Sequence, residues 1–299
     1  MRKLYGVTTA MVTPIDSSGR VDLEAVCALA EFLVAKGVNC LYPLGTTGEM
    51  IRLSVQERML VAEAVIKQAA GRVTVYIHCG GLRQDETILL MKHAESIGAD
   101  GVGVVTPIYL GVDSREMERF YISVSNSVSQ SFPVYLYNIP QCAANDLQTG
   151  SIEKIITECP NVVGIKYSYA DMIRTLEYLN INGGGFSVLH GCDRLFLPTL
   201  SMGCDGVVSG ISGVYPEPFV ALYKAWLAGD IEESMRQQKI ANRFISALRN
   251  GSNMAYFKTA LEHRNIRAGH MREPQLDLTQ EEGMKLLTEL YELEEAYLK

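Results

Sequence analysis

The stretch VTVYIHCGGLRQDETILLMKHAESIGADGVGVVT, residues 73–106, decides the fold of this chain. It opens on an apolar run at 73–79 that does not alternate with polar residues, so the strand it predicts is covered on both faces. A helical stretch follows at 84–97 and stops before Gly98, a residue suited to helix termination. A second unbroken apolar run, 101–106, then repeats the first. Strand, helix and strand in this order make a βαβ unit, the building block of a parallel sheet.

The same alternation extends in both directions. Further strands are expected at 6–13, 39–44, 133–138, 162–166, 186–190 and 206–209, each rich in Val, Ile, Leu or Tyr. A helix at 22–36 begins on a capping Asp22 and stops at Gly37. Another at 54–70 opens with Ser54-Val55-Gln56-Glu57, the form of a capping box. Helices at 114–129, 151–158, 170–179, 193–202 and 216–228 fill the remaining gaps. Eight strands, each followed by a helix, predict an α/β fold, a (β/α)8 TIM barrel. The expected catalytic domain is 1–230. Residues 231–299 contain no strand candidate and read as a C-terminal helical extension, packed on the barrel or forming an oligomer contact. The loop at 267–274 carries no functional signature.

Composition narrows the function. A chain of 299 residues, 47% hydrophobic, suits one barrel. Its net charge of −7, with no basic stripe to displace phosphate counterions, gives no basis for nucleic-acid binding. No apolar run approaches the ~18 residues of a membrane span. The start, Met1-Arg2-Lys3-Leu4-Tyr5-Gly6, lacks the apolar core of a secretion signal, so a cytoplasmic protein is expected. Seven cysteines stand singly at 27, 40, 79, 142, 159, 192 and 204. An odd number without a C-x-x-C pair argues against a disulfide framework or a structural zinc site. They read as small buried hydrophobes in a reducing compartment.

Barrel enzymes build their sites at the C-terminal ends of the strands. Here those ends carry Gly45-Thr46-Thr47-Gly48-Glu49, Thr106-Pro107-Ile108-Tyr109, Tyr137-Asn138-Ile139-Pro140, Lys166, His190-Gly191-Cys192-Asp193 and Ser209-Gly210-Ile211-Ser212-Gly213. Lys166 closes an apolar strand. Imine formation needs a neutral amine, and desolvation at a barrel mouth favours that form. The loop at 45–49 supplies hydroxyls and unhindered amides suited to a carboxylate. Tyr137 and Tyr109 bring phenols able to move protons. An amine that captures ketones, a carboxylate cradle and a proton shuttle together suit a 2-keto acid.

Other readings of these residues remain open. His78, His190, Glu49, Cys79 and Asp193 could serve a metal-dependent aldolase, although no H-x-H or H-E-x-x-H pattern is present. The segment 209–213 could take a phosphate, a role that loops after strands seven and eight often play. A keto-acid sensor that forms the imine without turnover is the non-enzymatic possibility.

Over most of its length the sequence resembles the dihydrodipicolinate synthase / N-acetylneuraminate lyase family. The likeness rests on GVTTAMVTP at 6–14, GTTGE at 45–49, VTPIY at 105–109, YNIP at 137–140, GIK at 164–166 and HGCD at 190–193. The resemblance implies a class I aldolase or lyase on a barrel with a C-terminal helical region. It also implies a homotetramer (a dimer of dimers), with no metal or organic cofactor beyond a covalent lysine imine. Lys166 then corresponds to the imine lysine, Tyr137 to the proton-transfer phenol and Thr47, with the backbone at Gly45, to the holder of the pyruvate carboxylate. Thr46 and Tyr109 correspond to a hydroxyl relay, Tyr109 arriving across a subunit interface. Val208 matches a position beside bound pyruvate, and Gly191, Asp193 and Arg194 fall where substrate is contacted. Two departures stand out. Cys142 replaces the arginine with which the synthases bind their second substrate's carboxylate. Arg194 stands where sialic-acid lyases carry an acid, and it either suits an acidic aldehyde partner such as a sugar acid or pairs with Asp193 or a surface carboxylate. The expected reaction makes or breaks a C–C bond between pyruvate and an aldehyde, within a 2-keto-3-deoxy sugar acid type of substrate. The alternatives on the same imine are condensation with aspartate semialdehyde, N-acetylneuraminate cleavage and, as a carbon–oxygen lyase, dehydration of a keto-deoxy sugar acid.

Overall fold

The structure, a computed structural model, describes residues 2–298. Eight strands close into a barrel in chain order: β1 Gly6–Ala10, β2 Cys40–Tyr42, β3 Thr74–His78, β4 Gly101–Val105, β5 Val134–Asn138, β6 Val162–Tyr167, β7 Ser187–His190 and β8 Gly206–Ser209. All pairs are parallel, and β8 returns to β1 with Gly6 opposite Gly206. The expected (β/α)8 barrel is therefore present. Most strands are shorter than the apolar runs. β1 ends at Ala10 rather than at 13; the Met11 amide makes the last bond to β2, at the Tyr42 carbonyl, and beyond it Ile15 bridges to Val21 and Gly269.

Most valines, leucines and isoleucines of the strands face the helices, while three tyrosines dominate the lumen. Tyr42, Tyr76 and Tyr135 pack there with Ala10, Cys40, Leu189 and Val208. Two glycines of β4 make the room. A Cβ on Gly103 would lie 1.8 Å from the Tyr42 hydroxyl, and one on Gly101 2.4 Å from the Tyr76 ring. The lumen is thus a packed plug beneath the C-terminal mouth.

The outer layer follows from local signals. α1 Leu23–Ala35 starts where Asp22 accepts from the Ala25 amide at 3.0 Å, and it buries Ala25, Val26, Leu29, Ala30 and Leu33 at helical spacing. α2 Val55–Ala69 carries the expected capping box between Ser54 and Glu57. α3 Gln84–Ser96 and α4 Ser114–Ser125 come next, and then a four-residue helix, α5 Pro140–Ala143, that the sequence reading did not include. Proline at its first position supplies the helical φ and lacks only an amide that would go unbonded. α6 Thr149–Glu158 and α7 Met172–Leu179 complete this side. The single helix expected at 193–202 is instead a 3-10 turn, Asp193–Leu195, followed by α8 Phe196–Met202. Gln238 Oε1 takes the Leu197 amide at 2.9 Å, and Pro198 has no amide to give.

After α9 Pro216–Leu227 come α10 Ile231–Ala247, α11 Met254–His263 and α12 Gln280–Tyr297. Phe244 of α10 stacks on Tyr215, with ring centroids 4.3 Å apart, and the Tyr215 hydroxyl donates to Glu294 of α12 at 2.6 Å. Among the described residues no helix is long and apolar enough to cross a membrane.

Candidate active site

The strand register carries the candidate side chains to the barrel mouth. Tyr137 of β5 lies directly opposite Lys166 of β6. The Lys166 amine sits 3.9 Å from the Tyr137 ring centroid and 5.1 Å from that of Tyr42. It is 5% exposed, and among the described residues it has no carboxylate or hydrogen-bonding partner. A buried amine without a counter-ion is available to an incoming carbonyl. The Tyr137 hydroxyl lies 3.3 Å from Thr46 Oγ1, within hydrogen-bond distance of it.

The turn after β2 holds Thr46 and Thr47. Leu44 and Glu49 take left-handed backbone angles, φ 66° and 57°, at its two ends. Thr13 Oγ1 donates to the Gly48 carbonyl at 2.8 Å, which pins the turn from β1's side. No main-chain acceptor takes the Thr46, Thr47 or Gly48 amides among the described residues. Successive free amides of this kind form a concave anion seat. Burial drives the His78 pKa well below its usual value, so the ring is neutral. Its Nδ1 lies 3.1 Å from the Leu44 carbonyl and supports the strained turn.

Beneath this turn lies a pair that the sequence did not announce. Glu49 is buried, and its Oε1 lies 2.9 Å from Lys258 Nζ on α11. Lys258 is 2% exposed and also donates to the His270 carbonyl at 2.6 Å. Burial lowers its pKa, against the attraction of Glu49. Lys258→Met would leave the buried Glu49 with only the Arg52 guanidinium, 3.4 Å from its Oε2, so the unfolding free energy is expected to fall by about 3 kcal/mol, the lower end for a broken buried pair. Urea denaturation measures this, and adding Glu49→Gln should recover most of the loss. A single variant as stable as wild type would show that the pair contributes nothing.

A cavity of about 680 Å³ gathers Lys166, Tyr137, Thr46, Thr47, Val208, Gly191, Asp193 and Arg194. Gly45 and Tyr109, the other two expected site residues, do not line it. Gly45 is buried behind the turn, its carbonyl accepting from the Met50 amide at 3.3 Å. Tyr109 is 82% exposed, at φ 77°. Arg194 pairs with neither Asp193 nor a surface carboxylate. Its Nε and Nη2 donate to Asn250 Oδ1 at 3.1 and 2.7 Å, and Nη2 also donates to Ser246 Oγ at 2.9 Å.

Ile245, Asn250, Gly251 and Phe257 from the 231–299 segment, together with Gln141 and Ser168, also line the cavity and were missed in the sequence. Ser209 and Ser212 are turned inward. The Ser209 hydroxyl accepts from the Ser212 amide at 2.9 Å, and Ser212 Oγ meets Thr9 Oγ1 at 2.9 Å, so neither is aimed at a phosphate. Among the described residues no three His, Cys, Asp or Glu side chains are grouped to hold a metal ion. All seven cysteines are unpaired, and Cys142 lies on the cavity wall.

Asp193 is the cavity's single acid. Burial of its carboxyl raises the pKa to about 7, against the Ser209 hydrogen bond and the Lys166 charge, and Oδ1 has no partner. The folded protein therefore holds this proton at pH values where the unfolded chain has released it. Stability should fall as pH rises from the ordinary carboxylate range to about 7 and level off above it. Thermal melts of wild type and Asp193→Asn across this window test the sign. The difference in melting temperature should move in favour of the asparagine variant as pH rises, and a constant difference would refute it.

The chain matches the model of the dihydrodipicolinate synthetase family over residues 3–292. It is 33% identical over 237 residues to a probable 2-dehydro-3-deoxy-D-pentonate aldolase of Escherichia coli, covering 77% of each chain. The crystal structure of dihydrodipicolinate synthase from Aquifex aeolicus superposes with a TM-score of 0.91 at 32% identity, covering 98% of both chains. A prophage protein of the dihydrodipicolinic acid synthase family from Escherichia coli K12, solved in complex with pyruvate, gives 0.92 at 29% identity, covering 98% of this chain and 99% of its own.

Proposed function

This chain belongs to the dihydrodipicolinate synthetase family, and from that premise we propose that it is a class I lyase that makes or breaks the C3–C4 bond between pyruvate and an aldehyde. The observation that carries this reading is the buried, unpartnered Lys166 amine over the Tyr137 ring, with Tyr137 bonded onward to Thr46.

In the cleavage direction, Lys166 Nζ adds to the C2 carbonyl of a 2-keto acid. Tyr137 protonates the carbinolamine oxygen, which leaves as water and gives the imine. The free amides of the Thr46–Thr47 turn, with the Thr47 hydroxyl, seat the C1 carboxylate, while Val208 and Gly191 shape the walls around C2 and C3. Tyr137 then takes the proton of the C4 hydroxyl. The C3–C4 electrons flow into the imine, the aldehyde departs, the enamine is protonated at C3, and water hydrolyses the imine to pyruvate and free lysine. Condensation is the reverse. The reaction closes without a metal or organic cofactor.

Tyr109 completes the relay from a neighbouring subunit in a homotetramer. Its exposure on a left-handed turn, next to exposed Leu110, supports such a contact. The barrel 1–230 is the catalytic unit, and 231–299 closes one wall of its site. Seven unpaired cysteines support a cytoplasmic setting. Cys142 offers no guanidinium fork, which weighs against condensation with aspartate semialdehyde at the pace of a dedicated synthase.

Borohydride reduction in the presence of pyruvate, followed by peptide mapping, tests the reading. One reduced pyruvate per chain on the peptide bearing Lys166 is the expected result. No adduct, or an adduct on another lysine, defeats it.

A further inference from the structure

We infer that His78 is a positioning residue of this site: its imidazole ties the turn that seats the keto-acid carboxylate to the ring of Tyr137, so that seat and proton shuttle are held in register. This rests on the imine reading above, which gives the turn and the phenol those roles.

His78 closes β3 opposite Gly103 of β4 and is fully buried. None of the bond changes above involves it. Glycines make the room for its ring and for its neighbour. A Cβ on Gly80 would stand 3.2 Å from His78 Cε1, and Tyr42, whose ring centroid lies 6.1 Å from that of His78, places its hydroxyl over Gly103.

The ring has two contacts that matter. Nδ1 lies 3.1 Å from the Leu44 carbonyl, and a carbonyl only accepts, so Nδ1 carries the proton and donates. Leu44, at φ 66°, enters the turn whose amides seat the carboxylate, and left-handed backbone at a leucine persists only where its surroundings enforce it. On its other side the imidazole meets the Tyr137 ring edge to face, with centroids 5.8 Å apart and planes at 89°. One side chain therefore braces both the backbone of the seat and the phenol under Lys166.

The brace is fixed from behind. Arg58, 4% exposed, donates from Nη2 to the His78 carbonyl at 2.9 Å. Burial, and then the charges of Arg58 and Lys166, hold the His78 pKa well below its usual value. The ring thus stays neutral while the imine on Lys166 is cationic, and it adds no charge to oppose that state. Nε2 is left as a bare lone pair, without a partner among the described residues. A buried acceptor left unpaired works against folding, so a ring that merely filled space would serve better as phenylalanine.

Time-resolved borohydride quenching of the full-length enzyme with pyruvate alone tests this. The rate of imine formation saturates with pyruvate. Its half-saturating concentration reports the seat, and its limiting rate reports proton transfer to the carbinolamine. His78→Phe keeps a ring against Tyr137 but strips the Leu44 carbonyl of its donor. The half-saturating concentration should rise about tenfold, with the limiting rate little changed. His78→Asn offers an amide N–H in place of Nδ1–H but removes the ring. The limiting rate should fall about tenfold, as for a misplaced catalytic group, with half-saturation little changed. Each variant is judged by its own split, so one suffices should the other not fold. Both parameters moving together, or neither moving, overturns the inference, and a label on Lys166 in the same samples leaves the imine reading standing. A wild type that traps no pyruvate overturns both.

Discussion

Lys166→Ala is expected to remove turnover, lowering kcat by about 10⁴-fold or more, as deletion of a covalent nucleophile does. No other cation in the cavity can replace it, because Arg194 is exposed at the rim and a guanidinium is not nucleophilic. The fold should survive. The lost group makes no ion pair, and Tyr137 and Tyr42 remain packed in the barrel. Circular dichroism and melting temperature establish that, and release of pyruvate from a 2-keto-3-deoxy sugar acid measures the loss. Lys166→Arg should be equally inactive although it keeps the charge. Either variant retaining turnover and still trapping pyruvate would place the imine elsewhere.

Tyr137→Phe is the second large effect. The ring stays under Lys166, but the hydroxyl that meets Thr46 at 3.3 Å is gone, and with it the proton path to the carbinolamine oxygen. A positioned acid–base contributes about 10²- to 10⁴-fold, so kcat should fall within that range. The carboxylate seat at Thr46 and Thr47 is untouched, and KM for pyruvate should change little. Borohydride quenching at successive times should show slow imine formation reaching the wild-type extent. A kcat within a few-fold of wild type would assign the proton transfers to another group.

What the sequence disclosed follows from the range of the interactions involved. Asp22 and Ser54 cap helices through atoms three residues away, so a short pattern suffices to find them. Lys166 and Tyr137 could be brought together because parallel register is regular and both close apolar strands. Arg194 and Asn250 lie 56 residues apart, and Glu49 and Lys258 209. Their meeting depends on how α10 and α11 settle against the barrel, for which a single sequence has no periodic signal. The split between Asp193–Leu195 and α8 was hidden for the same reason, since Gln238 of α10 takes the amide that would have continued the helix. Tyr109 was expected to arrive across a subunit interface, a placement that a single chain does not contain. Within one chain its side chain is spread on the surface, away from the cavity.

The Glu49–Lys258 pair bears on how the protein is made. During synthesis the barrel strands leave the ribosome first, and β8 is complete at Ser209, well before Lys258 is added. Until then the carboxylate destined for burial under the 45–48 turn has only the Arg52 guanidinium, three residues on, to meet it. The second partner of Glu49 therefore reaches the turn only when α11 docks, and Phe257, Lys258's neighbour, joins the cavity wall in the same step. A nascent barrel can hold its tyrosine plug and its lysine without offering a finished mouth. Competence to capture metabolites arrives with the last quarter of the chain, so translation order itself acts as the timer on the active site.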